Sequence, residues 1–143
     1  MIGLASDHAG FEMKEFLHKW LTVEGYSVMD FGCNSAASCD YADYAHPLAI
    51  AVSDGICTFG ISLCGSGNGI NMVVNKHPKI RSALCWNTEI ASLARRHNDA
   101  NICALPARFL CPEEVQAIIK IFMETDFEGG RHSIRISKIP LKS

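Results

Sequence analysis

Phe59-Gly60-Ile61-Ser62-Leu63-Cys64-Gly65-Ser66-Gly67-Asn68-Gly69 is a short apolar run that breaks into three glycines at alternate positions. A run of that length suits a buried strand, and the glycines suit a sharp turn into a helix. Working outward, similar runs occur at Ile2–Ser6, Ser27–Phe31, Arg81–Cys85 and Asn101–Leu105, each separated from the next by room for a helix. Repeated strand-helix units of this kind predict an α/β fold with a parallel sheet.

The intervening segments carry helical periodicity. Met13, Phe16, Leu17, Trp20 and Leu21 recur at helical spacing, and Gly25 is placed to end that helix. Asn87 is a good cap for a helix over 88–97, with Ile90, Leu93 and Ala94 expected towards the sheet. Pro112-Glu113-Glu114 opens a last full helix whose stripe is Val115, Ile118, Ile119 and Phe122. The expectation is a three-layer α/β/α sandwich with a five-stranded parallel sheet, Rossmann-like, binding its ligand outside the carboxyl ends of the strands. Two loops lie there, Ser6-Asp7-His8-Ala9-Gly10 and Cys64 to Gly69.

With 143 residues and 48% hydrophobic content, residues 1–143 are read as one globular domain. A net charge of -2 gives no field that would draw the chain to nucleic acid or an anionic membrane. The seven cysteines, at 33, 39, 57, 64, 85, 103 and 111, contain no CxxC pair, which suits reduced cytoplasmic thiols rather than a disulfide framework or zinc cage. Met1-Ile-Gly-Leu-Ala-Ser-Asp-His runs straight into a strand pattern, and no apolar run approaches the ~20 residues of a membrane span. A cytoplasmic location is expected.

Glycines at 65, 67 and 69 allow backbone N–H groups to converge at a helix amino end, where an anion is stabilised. A glycine loop alone is equally well a tight turn, and Cys57, Cys85 and Cys103 read as small apolar core residues. Cys64 differs because it ends a strand facing that helix terminus, where thiolate is favoured and can act as nucleophile or base. A C-x5-R phosphatase would need arginine at Ile70, and a dinucleotide site would need G-x-G-x-x-G and an acid where Cys85-Trp86-Asn87 stands. Proton abstraction beside a carbonyl needs a base, oxyanion donors and an anchor for the anionic end, and the chain offers all three.

Ala5-Ser6-Asp7-His8-Ala9-Gly10, Asp40-Tyr41, Leu63 to Gly69, Asn75-Lys76, Arg96-His97-Asn98-Asp99 and Glu128-Gly129-Gly130-Arg131-His132-Ser133-Ile134-Arg135 together resemble the ribose-5-phosphate isomerase B and galactose-6-phosphate isomerase family. The resemblance implies that Cys64 moves the substrate proton, with Ser66 nearby and the amides of Gly65, Gly67, Asn68 and Gly69 around the enediolate. It implies that His97 opens the sugar ring and Asn98 holds a substrate oxygen. Asp7 and Tyr41 would contact hydroxyls or the ring oxygen. His8, Arg108, Arg131 and Arg135 would hold phosphate, the last two from segment 128–143. Ile70 occupies the position of the glutamate base of a second branch, so the cysteine branch is implied.

Arg131 and Arg135 share a face if their segment is helical, as suits a phosphate dianion or, equally, a solvated basic tail. His97 could simply favour a helix carboxyl end, and Asp7 could simply cap a helix. His18, His46, His77 and His132 show no spacing that argues for a metal, so neither metal nor organic cofactor is expected. The expected partner is a small sugar phosphate, five-carbon or alternatively six-carbon. A non-catalytic phosphosugar-binding module is the reading from another class. Because the helix over 88–97 starts at the sheet edge where Cys64 lies and carries His97 roughly 15 Å towards the opposite edge, a homodimer or dimer of dimers with shared sites is also expected.

Overall fold

The structure is a computed structural model that describes residues 1–142. Ser143, the end of both the expected domain and its 128–143 segment, lies outside the described residues. Strands β1 (Ile2–Ser6), β2 (Val28–Asp30), β3 (Phe59–Cys64), β4 (Ser82–Leu84) and β5 (Ile102–Pro106) form one parallel sheet in the order β2-β1-β3-β5-β4. Helices α1 (Phe11–Val23), α2 (Tyr41–Ser53), α3 (Asn68–Val74), α4 (Thr88–Asn98) and α5 (Pro112–Glu124) connect or follow them, and α6 (Arg131–Ile136) comes last. A 3-10 turn at His8–Gly10 leads into α1. No helix among the described residues is long and apolar enough to cross a membrane.

Strand alternation produces two cores, because successive side chains point to opposite faces. Leu4, Ile61, Leu63, Cys103 and Leu105 pack against α1, α4 and α5, whereas Ala5, Cys64 and Ile102 face α2 and α3. The second face is lined with small residues, which draws α2 close. Gly3 and Gly60 are cross-strand partners, and an added methyl at Gly60 would meet the Leu48 side chain at 3.1 Å. Cys64 therefore points into the α2–α3 layer and is only 4% exposed.

The edge strands β2 and β4 are each one residue shorter at both ends than their apolar runs, since each has one neighbour to pair with. β3 and β5 extend further, to Cys64 and Pro106, where the Ala107 N–H continues the ladder by donating to Cys64 O at 3.0 Å.

Two side chains break the expected helix faces. In α4 the buried residues are Ala91, Ala94 and Arg95; Ile90 is half-buried and Leu93 is not part of the core. Arg95 turns the face because its guanidinium lies over Phe59, 4.9 Å from the ring, and donates to Ala100 O and Thr125 O. In α1, Lys14 is fully buried within the stripe, paired with Asp30 at 2.7 Å and Glu15 at 2.9 Å. Burial alone would lower its pKa, but the two carboxylates outweigh it and raise it. Asp30 also accepts from the Gly32 N–H, so this pair fixes the start of the loop that returns to the site.

Candidate active site

Cys64 lies on the floor of an open pocket of about 510 Å³ at the carboxyl edge of the sheet. Asp7 and His8 enter from the β1 loop, Tyr41 from the first turn of α2, and Arg108 from the turn after β5. Asp7 accepts from the Ala9 and Gly10 N–H groups at 2.9 and 3.1 Å, so it caps the turn while its backbone N–H donates to Leu63 O. His8 Nδ1 accepts from the Cys39 N–H at 3.3 Å, which leaves Nε2 as the hydrogen-bearing nitrogen of the neutral ring. Ser66 Oγ accepts from the Asn68 N–H at 3.2 Å and is exposed at the pocket wall.

The three glycines serve different ends. Gly67 has φ of +77°, the left-handed conformation that starts α3, and a side chain there would collide with Leu84 and the Leu105–Pro106 backbone. Gly65 leaves room for Arg108, since a methyl at 65 would come within 3.1 Å of Arg108 Nη1. Gly69 leaves room for the Tyr41 ring. Ile70, by contrast, is completely buried in the α2–α3 core and offers nothing to the pocket.

His97, Asn98, Arg131 and Arg135 form a second group at the opposite edge. Cys64 pairs with Pro106 at the end of β5, whereas the Asn98 carbonyl accepts from Arg81 Nε just before β4 begins. The five residues of β5 alone span about 13 Å. One chain therefore does not bring His97 to Cys64. Arg131 and Arg135 lie on α6, which packs against α4, and their i, i+4 spacing does place them on one helical face.

Within this second group, Glu128 Oε1 lies 3.6 Å from His97 Nε2, and the His132 ring stacks on His97. These three residues offer donors within 4.8 Å of one another, a juxtaposition that their sequence spacing did not disclose. They do not fit a tetrahedral cation, whose donors sit about 3.3 Å apart and converge. The two imidazoles are 4.2 Å apart and within 11° of parallel, so their in-plane lone pairs run side by side, and Arg131 and Arg135 add positive charge.

Burial, then His97 and Arg131, lower the His132 pKa; burial, then His46 at 2.8 Å, lower that of His77. Both rings are kept neutral, so their stabilising contribution is full above the unfolded value of about 6.5 and is lost as pH falls through the lower folded values. Thermal midpoints are expected to fall as pH drops below about 6.5, with a shallower fall in His77→Asn. A midpoint that is flat or rises over this window contradicts the assignment.

A family model described as Ribose/Galactose Isomerase matches residues 2–139. The chain belongs to this family. A probable ribose-5-phosphate isomerase B of Mycoplasma pneumoniae is 42% identical over 139 residues, covering 96% of this chain and 91% of that protein. The crystal structure of a ribose 5-phosphate isomerase from Thermotoga maritima superposes with a TM-score of 0.96 at 44% identity, covering 97% and 96% of the two chains. Ribose-5-phosphate isomerase B from Mycoplasma genitalium with bound ribulose-5-phosphate gives 0.92 at 38% identity, covering 96% and 92%. The ribose/galactose isomerase fold is thus shared over almost the whole chain.

Phe109, 74% exposed, also lines the pocket, and sequence reasoning passed over it. A bulky aromatic directly after Arg108, in the turn that follows a predicted strand, was the available signal. Glu128 and His132 stand inside a quoted motif, yet only the fold brings them against His97. Asn75 holds α3 to β4, donating to Ser82 O and accepting from the Ser82 N–H.

Proposed function

We propose that this chain is a cytoplasmic aldose-ketose isomerase that interconverts D-ribose 5-phosphate and D-ribulose 5-phosphate. Residues 1–143 act as one isomerase domain, in which segment 128–143 supplies phosphate-holding arginines. The observation that carries the reading is Cys64 on the floor of a polar pocket with Asp7, His8, Tyr41 and Arg108, in a member of the ribose/galactose isomerase family.

His97 and Asn98 first open the furanose and hold the carbonyl form. The Cys64 thiolate then takes the proton from carbon 2. The electrons of that C–H bond form the double bond between carbons 1 and 2, the carbonyl π pair moves onto the carbon 1 oxygen, and the resulting enediolate is held by the amides of the Gly65–Gly69 loop. Ser66 assists beside the thiol. A proton passes from the carbon 2 hydroxyl to the carbon 1 oxygen, and return of the first proton to carbon 1 yields the ketose, with no net change in electrons. The reaction as written uses neither a metal ion nor an organic cofactor.

Because Cys64 and His97 stand at opposite sheet edges, each site is completed by a second copy. In a symmetric dimer, the α4–α6 end of one subunit covers the Cys64 pocket of the other, twice over. This delivers Arg131 and Arg135 together with His97, opposite the resident His8 and Arg108. The deciding experiment is a panel of ribose 5-phosphate, allose 6-phosphate and galactose 6-phosphate, read by ketose formation. The highest kcat/KM is expected on ribose 5-phosphate. Faster turnover of a six-carbon substrate would move the specificity, and binding without any ketose would leave only a phosphosugar-binding module.

A further inference from the structure

The imidazole of His97 is held from two sides by a segment that folds back on it. The Glu128 N–H donates to Arg96 O at 3.0 Å, tying residue 128 to the last turn of α4. Gly129 and Gly130 then take φ values of +70° and +58°, conformations that side chains resist, and reverse the chain into α6. His132 is the one side chain that α6 buries, and it is buried against His97. The carboxylate of Glu128 meanwhile faces His97 Nε2 at 3.6 Å.

A carboxylate only accepts hydrogen bonds, so an Nε2 that carries hydrogen is attracted to it and an Nε2 lone pair is repelled. At 3.6 Å this is an electrostatic preference rather than a closed hydrogen bond. The surrounding charges leave Glu128 as the carboxylate that acts on this ring. Arg96 Nη1 lies 3.6 Å from the same oxygen, Arg131 and Arg135 flank His132, and Asp99 is engaged by Arg81 and Arg95.

We infer that Glu128 is a positioning residue for His97, selecting the tautomer with hydrogen on Nε2, while the stacked His132 sets the ring plane. The inference rests on the proposed ring-opening role of His97. In that role the Nδ1 lone pair accepts the proton of the anomeric hydroxyl as the carbonyl forms. The bond from carbon 1 to the ring oxygen breaks, and Nδ1 returns the same proton to that oxygen. The other tautomer would present N–H where the lone pair is needed.

The test is nitrogen NMR of the full-length protein with labelled histidine rings, without substrate at about pH 8, where an ordinary imidazole is neutral. The His97 signals are assigned by their loss in His97→Gln. Hydrogen on Nε2 of His97 is expected in the wild type. Glu128→Ala should mix the tautomers and lower kcat roughly tenfold with KM within about twofold, a fraction of what a general acid-base group contributes. Hydrogen on Nδ1 in the wild type, or a Glu128→Ala protein with wild-type tautomer or kcat, overturns the inference. Full turnover by His97→Ala is a separate result: it rejects the ring-opening role and leaves the tautomer measurement standing.

Discussion

Cys64→Ser is expected to lower kcat by about 10³-fold or more, in line with the 10²–10⁴ that a positioned acid-base group contributes. A serine hydroxyl is far too weakly acidic to shuttle a proton near neutral pH, whereas a thiol at a strand end facing a helix amino terminus is suited to it. The exchange replaces one atom at a side chain that is 4% exposed, so the fold is expected to persist and KM to stay within a few fold. Steady-state constants measured beside a thermal midpoint separate the two effects. A kcat within a few fold of wild type removes Cys64 from the chemistry.

The double substitution Arg131→Ala with Arg135→Ala is expected to reduce kcat/KM by about 10²–10⁴. Each guanidinium supplies a charge-assisted hydrogen bond worth about 1.5–3 kcal/mol, or roughly ten- to a hundredfold. Both side chains are exposed on α6, so their loss costs little stability. Part of the loss should appear in kcat, because a remote phosphate positions the reacting carbons. Inorganic phosphate should compete with substrate in the wild type and much less in the double variant. Unchanged constants would return both arginines to the status of a solvated basic tail.

The layered fold was legible because the strands are short, mainly apolar runs and the last full helix keeps one stripe, Val115, Ile118, Ile119 and Phe122. Strand order was not, since insertion of β5 between β3 and β4 depends on packing between elements far apart in sequence. The face of α4 and the burial of Lys14 escaped because a charged residue is read as solvent-facing. Here Phe59 and Phe122 receive Arg95, while Asp30 and Glu15 receive Lys14.

At the site, the Cys64 loop announced itself by residue type. The reasons for its glycines did not, because the Arg108 and Tyr41 side chains that Gly65 and Gly69 admit come from other loops. The contact of Glu128 and His132 with His97 was hidden similarly, by a turn whose direction depends on two positive φ angles.

The shared site is tested most directly by mixing two inactive proteins, Cys64→Ala and His97→Ala, under conditions that allow subunit exchange. A mixed dimer contains one site with both residues intact and one with both removed. Random pairing makes about half of all dimers mixed, so activity should recover to about a quarter of wild type. No recovery despite demonstrated exchange, or full activity in a monomer, would contradict the sharing and require His97 and Cys64 of a single chain to meet.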